Sequence, residues 1–213
     1  MVKIIVGRSK QEFSMHKGLL CNIAPYFDAA LKGSFKEAEE QRIEMPEEDA
    51  EVFKYFQLWA YTDCILTESE TEKDILPILL IKLYIFAEAR CMPRLQNAVI
   101  DLFIDKMVTS NSMPFKHLDF IYANTADGSL LRRLFVDLGA SAISLSKSTG
   151  VMERLKSLDS TEFLFDLILA QSERLASSKV SIGYFRQIRS QYYAKTPVNS
   201  PKDAQVNSNA PGS

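Results

Sequence analysis

Strand patterning stops at Met45 and helical patterning starts at Asp49, and that switch limits the fold class before any motif is read. Val2-Lys3-Ile4-Ile5-Val6 is β-branched and apolar nearly throughout, the signature of a buried strand. Ser9-Lys10-Gln11-Glu12 is a polar turn. Glu12 to His16 alternates polar and apolar, with Phe13 and Met15 on one face, as a second strand hairpinned to the first would. Arg42 to Met45 is a third short strand. Between them, Lys17 to Ile23 reads as a short helix carrying Leu19, Leu20 and Ile23. Pro25 suits the first turn of the next helix, where its missing N–H loses nothing, and Gly33-Ser34 ends that helix.

From Asp49 the period is helical. Asp49 is a good N-cap, and Glu47, Glu48 and Glu51 complement the positive end of the helix dipole. Val52, Phe56, Trp59 and Ala60 mark the buried face. Residues 63–72 form a polar loop. Lys73 to Arg90 is expected as a long helix, with Pro77 in its first turn and Ile81, Tyr84, Ile85 and Ala89 inside. Pro93 punctuates, and Arg94 to Met107 follows along Leu95, Val99, Leu102 and Phe103. Met113 to Ala123 gives one helix, and Asp127-Gly128-Ser129 starts another with Leu130, Leu131, Leu134, Phe135 and Leu138 inside. Asp159 and Glu162 are spaced like a capping box for the helix through Phe163, Leu164, Leu167 and Ile168. Gly183 is placed to interrupt the segment from Val180 to Tyr193. From Thr196 onward Pro, Asn and Ser dominate, the composition of a disordered tail. The expected class is α+β, a small sheet packed by helices and followed by an all-helical C-terminal extension.

Composition narrows the functions. Across 213 residues, 46% hydrophobic and 24% charged is an ordinary globular balance. A net charge of −2 argues against nucleic acid or an anionic membrane as the main partner. Cys21, Cys64 and Cys91 are widely spaced in apolar sequence and read as buried reduced thiols, without the paired short spacing of a metal site. The N-terminus lacks the apolar region of a signal peptide, and the run from Ile75 to Ala87 is too short to span a bilayer. A reducing intracellular compartment, cytoplasm or nucleus, is the expectation.

No catalytic constellation stands out. The two histidines, His16 and His117, are far apart, with no nucleophile or carboxylate set around either. There is no glycine-rich phosphate loop, no HExxH and no nucleophile elbow. His16 is therefore read as a satisfied histidine at a strand–helix corner, and Trp59 with the Phe-rich helices as core. No catalysis, cofactor or metal is expected.

Several short segments, taken in order, resemble the BTB/POZ domain. The corner Phe13-x-x-His16-Lys17-x-Leu19-Leu20 is followed by Ala24-Pro25-Tyr26-Phe27, with Ala in the usual Ser place. Gly33-Ser34-Phe35-Lys36-Glu37 comes next, then a strand-loop-helix from Ile43 to Tyr61-Thr62, with Asp63 where Gly is usual. Phe86-Ala87-Glu88-Ala89 takes the place of an Ala-Ala-Asp-like step in the closing helices. The resemblance covers roughly residues 2–108. Leu118 to Leu138, with Phe120-Ile121-Tyr122-Ala123-Asn124-Thr125 and Leu131-Arg132, resembles the helical extension of fungal BTB proteins. Together they divide the chain into a BTB/POZ domain at 1–108, a helical extension at 109–195 and a tail at 196–213.

The resemblance implies a protein-interaction module with no chemistry of its own. In BTB adaptors of cullin-RING ubiquitin ligases, a hydrophobic-x-Glu motif in this place contacts the cullin scaffold. Phe35 and Glu37 are accordingly the candidate contact residues, an apolar anchor beside an orienting charge. The bland alternative is that Phe35 packs onto its own domain. The acidic run from Glu37 to Glu51 reads as a solvated face, with steering of a basic partner as its alternative. The expected function is a substrate-adaptor-like subunit holding a cullin and an unknown substrate protein. The alternative is a self-associating scaffold or transcriptional co-regulator that works without a cullin. A homodimer is a further implied partner. Against it stands the start at Met1-Val2, which lacks the leading residues, an Asp among them, that help such domains exchange segments across a dimer.

Overall fold

The computed structural model describes residues 1–32, 36–110, 113–145, 160–174 and 182–195. Strand β1 (Val2–Val6) lies in the middle of a three-stranded sheet ordered β2-β1-β3. Strand β2 (Gln11–Met15) pairs antiparallel to it, with Val2 opposite Met15 and Ile4 opposite Phe13. Strand β3 (Arg42–Met45) pairs parallel on the other side, with Ile4 opposite Ile43 and Val6 opposite Met45. In β1 only Lys3 is exposed, whereas the outer strands bury alternate residues, so their patterns follow their positions in the sheet. Gly7 turns the hairpin at φ +73, where a Cβ would also lie 3.2 Å from the Glu48 carbonyl oxygen.

Helices α1 (Lys17–Ile23), α2 (Pro25–Lys32) and α3 (Lys36–Glu40) connect β2 to β3. Helix α4 (Ala50–Thr62) follows, and Asp49 caps it by accepting the Glu51 N–H at 3.0 Å. The other Asp49 oxygen accepts from Lys82 Nζ at 2.7 Å, on helix α5 (Pro77–Ala89). One carboxylate thus starts α4 and ties α5 to it, and the Lys82 bond is the main reason its carboxyl lies below the ordinary Asp range. The buried face of α4 is wider than the expected stripe, because Phe53 joins Val52, Phe56 and Trp59.

Those rings build the core. Phe53 lies 4.7 Å from Phe13 of β2 and 5.3 Å from Phe56. Phe56 in turn stacks on Phe27 of α2 at 5.8 Å and meets Phe86 of α5 at 5.1 Å. Helix α5 is buried on nearly every side, through Leu79, Leu80, Ile81, Leu83, Tyr84, Phe86 and Ala87.

Helix α5 starts at Pro77 and not at Lys73. The Thr71 N–H and hydroxyl both donate to Asp74 at 2.7 Å, and this local turn displaces the first helical turn. Ala89, expected inside, is exposed at the helix end. Two of the three cysteines also depart from expectation. Cys64 and Cys91 are exposed, and Cys21 is half-buried. Both exposed thiols sit where a helix has just ended, Cys64 after the left-handed Asp63 and Cys91 itself at φ +52. Apolar neighbours in sequence therefore did not carry them into the core.

Helix α6 (Pro93–Ser110) closes this unit and carries the extension. The single helix expected over 113–123 is divided into a 3₁₀ turn at Phe115–His117, after Pro114, and helix α7 (Leu118–Asn124). Helices α8 (Leu130–Leu145), α9 (Thr161–Arg174) and α10 (Ile182–Gln187) follow, then a 3₁₀ turn at Arg189–Tyr192. The α9 cap is Ser160, whose hydroxyl accepts the Phe163 N–H at 3.2 Å; Asp159 lies outside the described residues. Gly183 falls in the first turn of α10 and does not interrupt it. The last segment docks on α6 through Arg186 on Asp105 (2.7 Å) and Arg189 on Asp101 (2.9 Å), with Phe185 and Tyr192 buried beneath. The expected tail from Thr196 lies outside the described residues.

Trp59 is 4% exposed on the inner stripe of α4. Trp59→Ala should cost about 3–5 kcal/mol and lower the melting temperature by on the order of 10 °C. A shift of roughly one degree would mean that the helix face is misassigned.

Candidate functional site

His16, at the β2–α1 corner, donates its backbone N–H to the Tyr61 hydroxyl at 3.1 Å, and its Nδ1 lies 2.8 Å from the same oxygen. A hydroxyl has lone pairs to accept from the backbone and one proton to donate, so the Nδ1 contact forms with either imidazole tautomer. The corner is thereby clamped to the end of α4. His117 stands apart in the 3₁₀ turn of the extension, where burial, then Lys116, holds its pKa below the ordinary value. Among the described residues no group of three His, Cys, Asp or Glu side chains could hold a metal ion. No helix among them is long and apolar enough to cross a membrane.

Helix α3 buries none of its residues. Glu37 is half-exposed on it and has no ion pair or hydrogen-bond partner among the described residues. Its neighbours are engaged: Lys36 with Glu40 at 3.5 Å, and Arg42 with Glu44 at 2.6 Å. Together these five side chains line a shallow cleft between α3 and β3. Phe35, the other candidate, lies outside the described residues.

The acidic run has two fates. Glu39, Glu40, Glu44, Glu47 and Glu51 are exposed, as a solvated face requires. Glu48 and Asp49 are instead structural. Glu48 pairs with Arg90, whose guanidinium lies 3.9 Å from the Phe86 ring centroid, and Asp49 pairs with Lys82. Periodicity could not separate these, since partners 42 and 33 residues away leave no local trace.

The junction of the sheet-bearing unit with the extension is polar and largely buried. Ser129, just before α8, donates to Glu88 of α5 at 2.9 Å. Next to it, Arg132 uses Nε on Thr125 Oγ1 (2.9 Å), Nη1 on Asp127 (2.9 Å) and Glu162 (3.1 Å), and Nη2 on the Tyr122 (2.8 Å) and Thr125 carbonyls. The Tyr122 ring lies 4.4 Å below it. A guanidinium has five N–H donors, and here each has an acceptor. One side chain therefore fixes α7, α8 and α9 together. In the sequence Arg132 is marked only by the Leu131-Arg132 likeness. A concave surface of about 720 Å³ opens beside it, lined in part by Val136, Glu162 and Phe165.

Residues 2–92 match the family model of the BTB/POZ domain. The matched stretch holds the sheet, α1 to α5 and the Glu37 cleft.

Burial raises the Glu88 carboxyl above the ordinary Glu range, with the Ser129 bond and Arg132 opposing. A carboxyl raised in the folded state favours folding in acid and loses that contribution as pH rises through its folded value. Glu88→Gln keeps an acceptor for Ser129 and removes the buried charge. Its melting temperature relative to wild type should therefore be higher at about pH 7 than at about pH 4. An identical difference at both pH values would show that Glu88 is not held above the ordinary range.

Proposed function

We propose that this chain, which belongs to the BTB/POZ family through residues 2–92, is an adaptor. In this reading it holds a cullin-type scaffold through Phe35-Lys36-Glu37 while its extension receives a second protein. BTB/POZ domains are protein-interaction modules, and the adaptor role is the specific form proposed here. The interaction domain is taken as residues 1–108 and the helical extension as 109–195.

Glu37 carries the reading. It is half-exposed, unpaired among the described residues, and sits on a helix that contributes nothing to the core. A carboxylate with no internal partner is available to a donor on another protein, where a charge-assisted hydrogen bond orients the complex. Its place two residues after Phe35 matches the hydrophobic-x-Glu pattern. The apolar residue would supply burial and the acid direction.

Titration of a purified cullin N-terminal domain tests this. Wild type should bind, and Glu37→Lys and Phe35→Ala should each weaken binding by about 1–2 kcal/mol or more with the melting temperature nearly unchanged. Absence of wild-type binding at tens of micromolar would replace the adaptor with a scaffold that works without a cullin. If Phe35→Ala unfolds the domain, Phe35 is core and the likeness to the contact motif is accidental.

A further inference from the structure

Helix α9 is apolar on two faces, and among the described residues only one is covered. Phe163 and Leu167 face α8, where a Cβ on Gly139 would lie 3.3 Å from each. That contact seats α9 tightly on α8. On the opposite face Phe165, Ile168 and Leu169 are 63%, 67% and 49% exposed. Their spacing of i, i+3 and i+4 makes one continuous stripe. A helix apolar on both sides ordinarily has both sides covered.

Phe165 belongs to the stripe and also to the wall of the groove between α8 and α9. Across the groove stand Val136 and the Arg132 cluster. All of the Arg132 donors are taken, and its side chain is only 10% exposed. The carboxylates that hold it face outward, Asp127 at 98% and Glu162 at 68% exposure. Asp166 also lines the groove and accepts from Tyr122 at 2.8 Å. Arg133 is the remaining charge, and it lies 3.9 Å from Asp137. The lining thus carries three carboxylates against two guanidiniums, one of them sequestered.

Area decides between occupants. At roughly 150–200 Å² per large apolar side chain, the stripe leaves on the order of 300 Å² uncovered, the size of a functional patch on a monomer. A stable pairing of two copies buries about 800 Å² of surface from each, of which the stripe supplies less than half, and the charged lining beside it would have to make up the rest. A single amphipathic helix, laid with its apolar side on the stripe and its polar side toward the charged groove, fits better.

We propose that the α8–α9 groove and the Phe165-Ile168-Leu169 stripe dock an amphipathic helical segment of another protein. That segment presents large apolar side chains at i, i+3, i+4 and i+7, with Lys or Arg set to meet Asp127 and Glu162. The proposal deepens the adaptor reading by assigning the chemistry of the recruited protein, and it rests on that reading only for the word recruited. The groove can be tested with no cullin present.

The probe is a displayed library of random peptides about 16 residues long, enough for four helical turns, selected on the full chain. Enriched peptides should share the apolar helical spacing and carry Lys or Arg. A synthetic peptide from the enriched pool should lose at least about tenfold in affinity, or about 1.4 kcal/mol, against the doubly substituted Phe165→Ser, Ile168→Ser chain. It should lose less, and mainly at low salt, against Glu162→Gln. The circular dichroism melt of the double substitution should match wild type, since both altered side chains are exposed; Glu162→Gln keeps an oxygen to accept from Arg132 and loses only the charge of that contact. Enrichment without the apolar spacing, or binding indifferent to the double substitution, overturns the proposal. So does sedimentation showing a wild-type dimer that the double substitution dissociates, because a second copy then fills the stripe. Failure here with intact cullin binding leaves the adaptor reading standing, and the reverse outcome leaves the groove standing.

Discussion

The fold depends on five phenylalanines meeting at one place. Phe13 from the sheet, Phe27 from α2, Phe53 and Phe56 from α4 and Phe86 from α5 form a continuous ring-to-ring chain with centroid separations from 4.7 to 5.8 Å. Each ring comes from an element that cannot bury its apolar face alone. A sheet of three strands of four or five residues needs its apolar face packed, and α5 is too apolar to stand in water. Large ring area is removed from solvent, and edge and tilted contacts add about 0.5–1.5 kcal/mol per pair. Asp49 then fixes how α4 and α5 lie, by capping one and holding Lys82 of the other.

Helix α3 is the counterpart of that core. With no buried residue it adds little to stability, so its side chains are available for another purpose. The outer edge of β2 is managed differently: Gln57 of α4 donates to the Ser14 carbonyl at 3.1 Å and occupies an edge acceptor. In the extension a buried guanidinium does the organising. Arg132 holds three helices by hydrogen bonds, which leaves the outer face of α9 with no internal duty.

Much of the domain could be read from the chain because its signals are local. The period-two alternation in β2 and β3, Pro25 at a helix start and Asp49 as a cap each depend on a few neighbouring residues. What escaped depends on distant residues or on competition. Phe53 widens the expected stripe, and Phe13 and Phe86, distant in sequence, converge on it. The first turn expected for α5 lost to the Thr71–Asp74 turn. Cys64 and Cys91 sit among apolar residues but at helix ends, which carries them outward. The sequence singles out Glu37 by its motif and the structure leaves its carboxylate unpaired among the described residues; the Arg132 cluster and the α9 stripe were not legible, since nothing local distinguishes a buried Arg or says which apolar face stays bare.

The central claim is a division of labour, with α4 and α5 making the fold and α3 left free to present Glu37. Hydrogen exchange on the free full-length chain, followed by mass spectrometry, tests it directly. Amides of α4 and α5 should exchange last, at the rate set by global unfolding, while those of residues 36–40 exchange fastest within the first 110 residues outside turns. Protection of residues 36–40 equal to that of α4 would contradict the account, because α3 would then belong to the core.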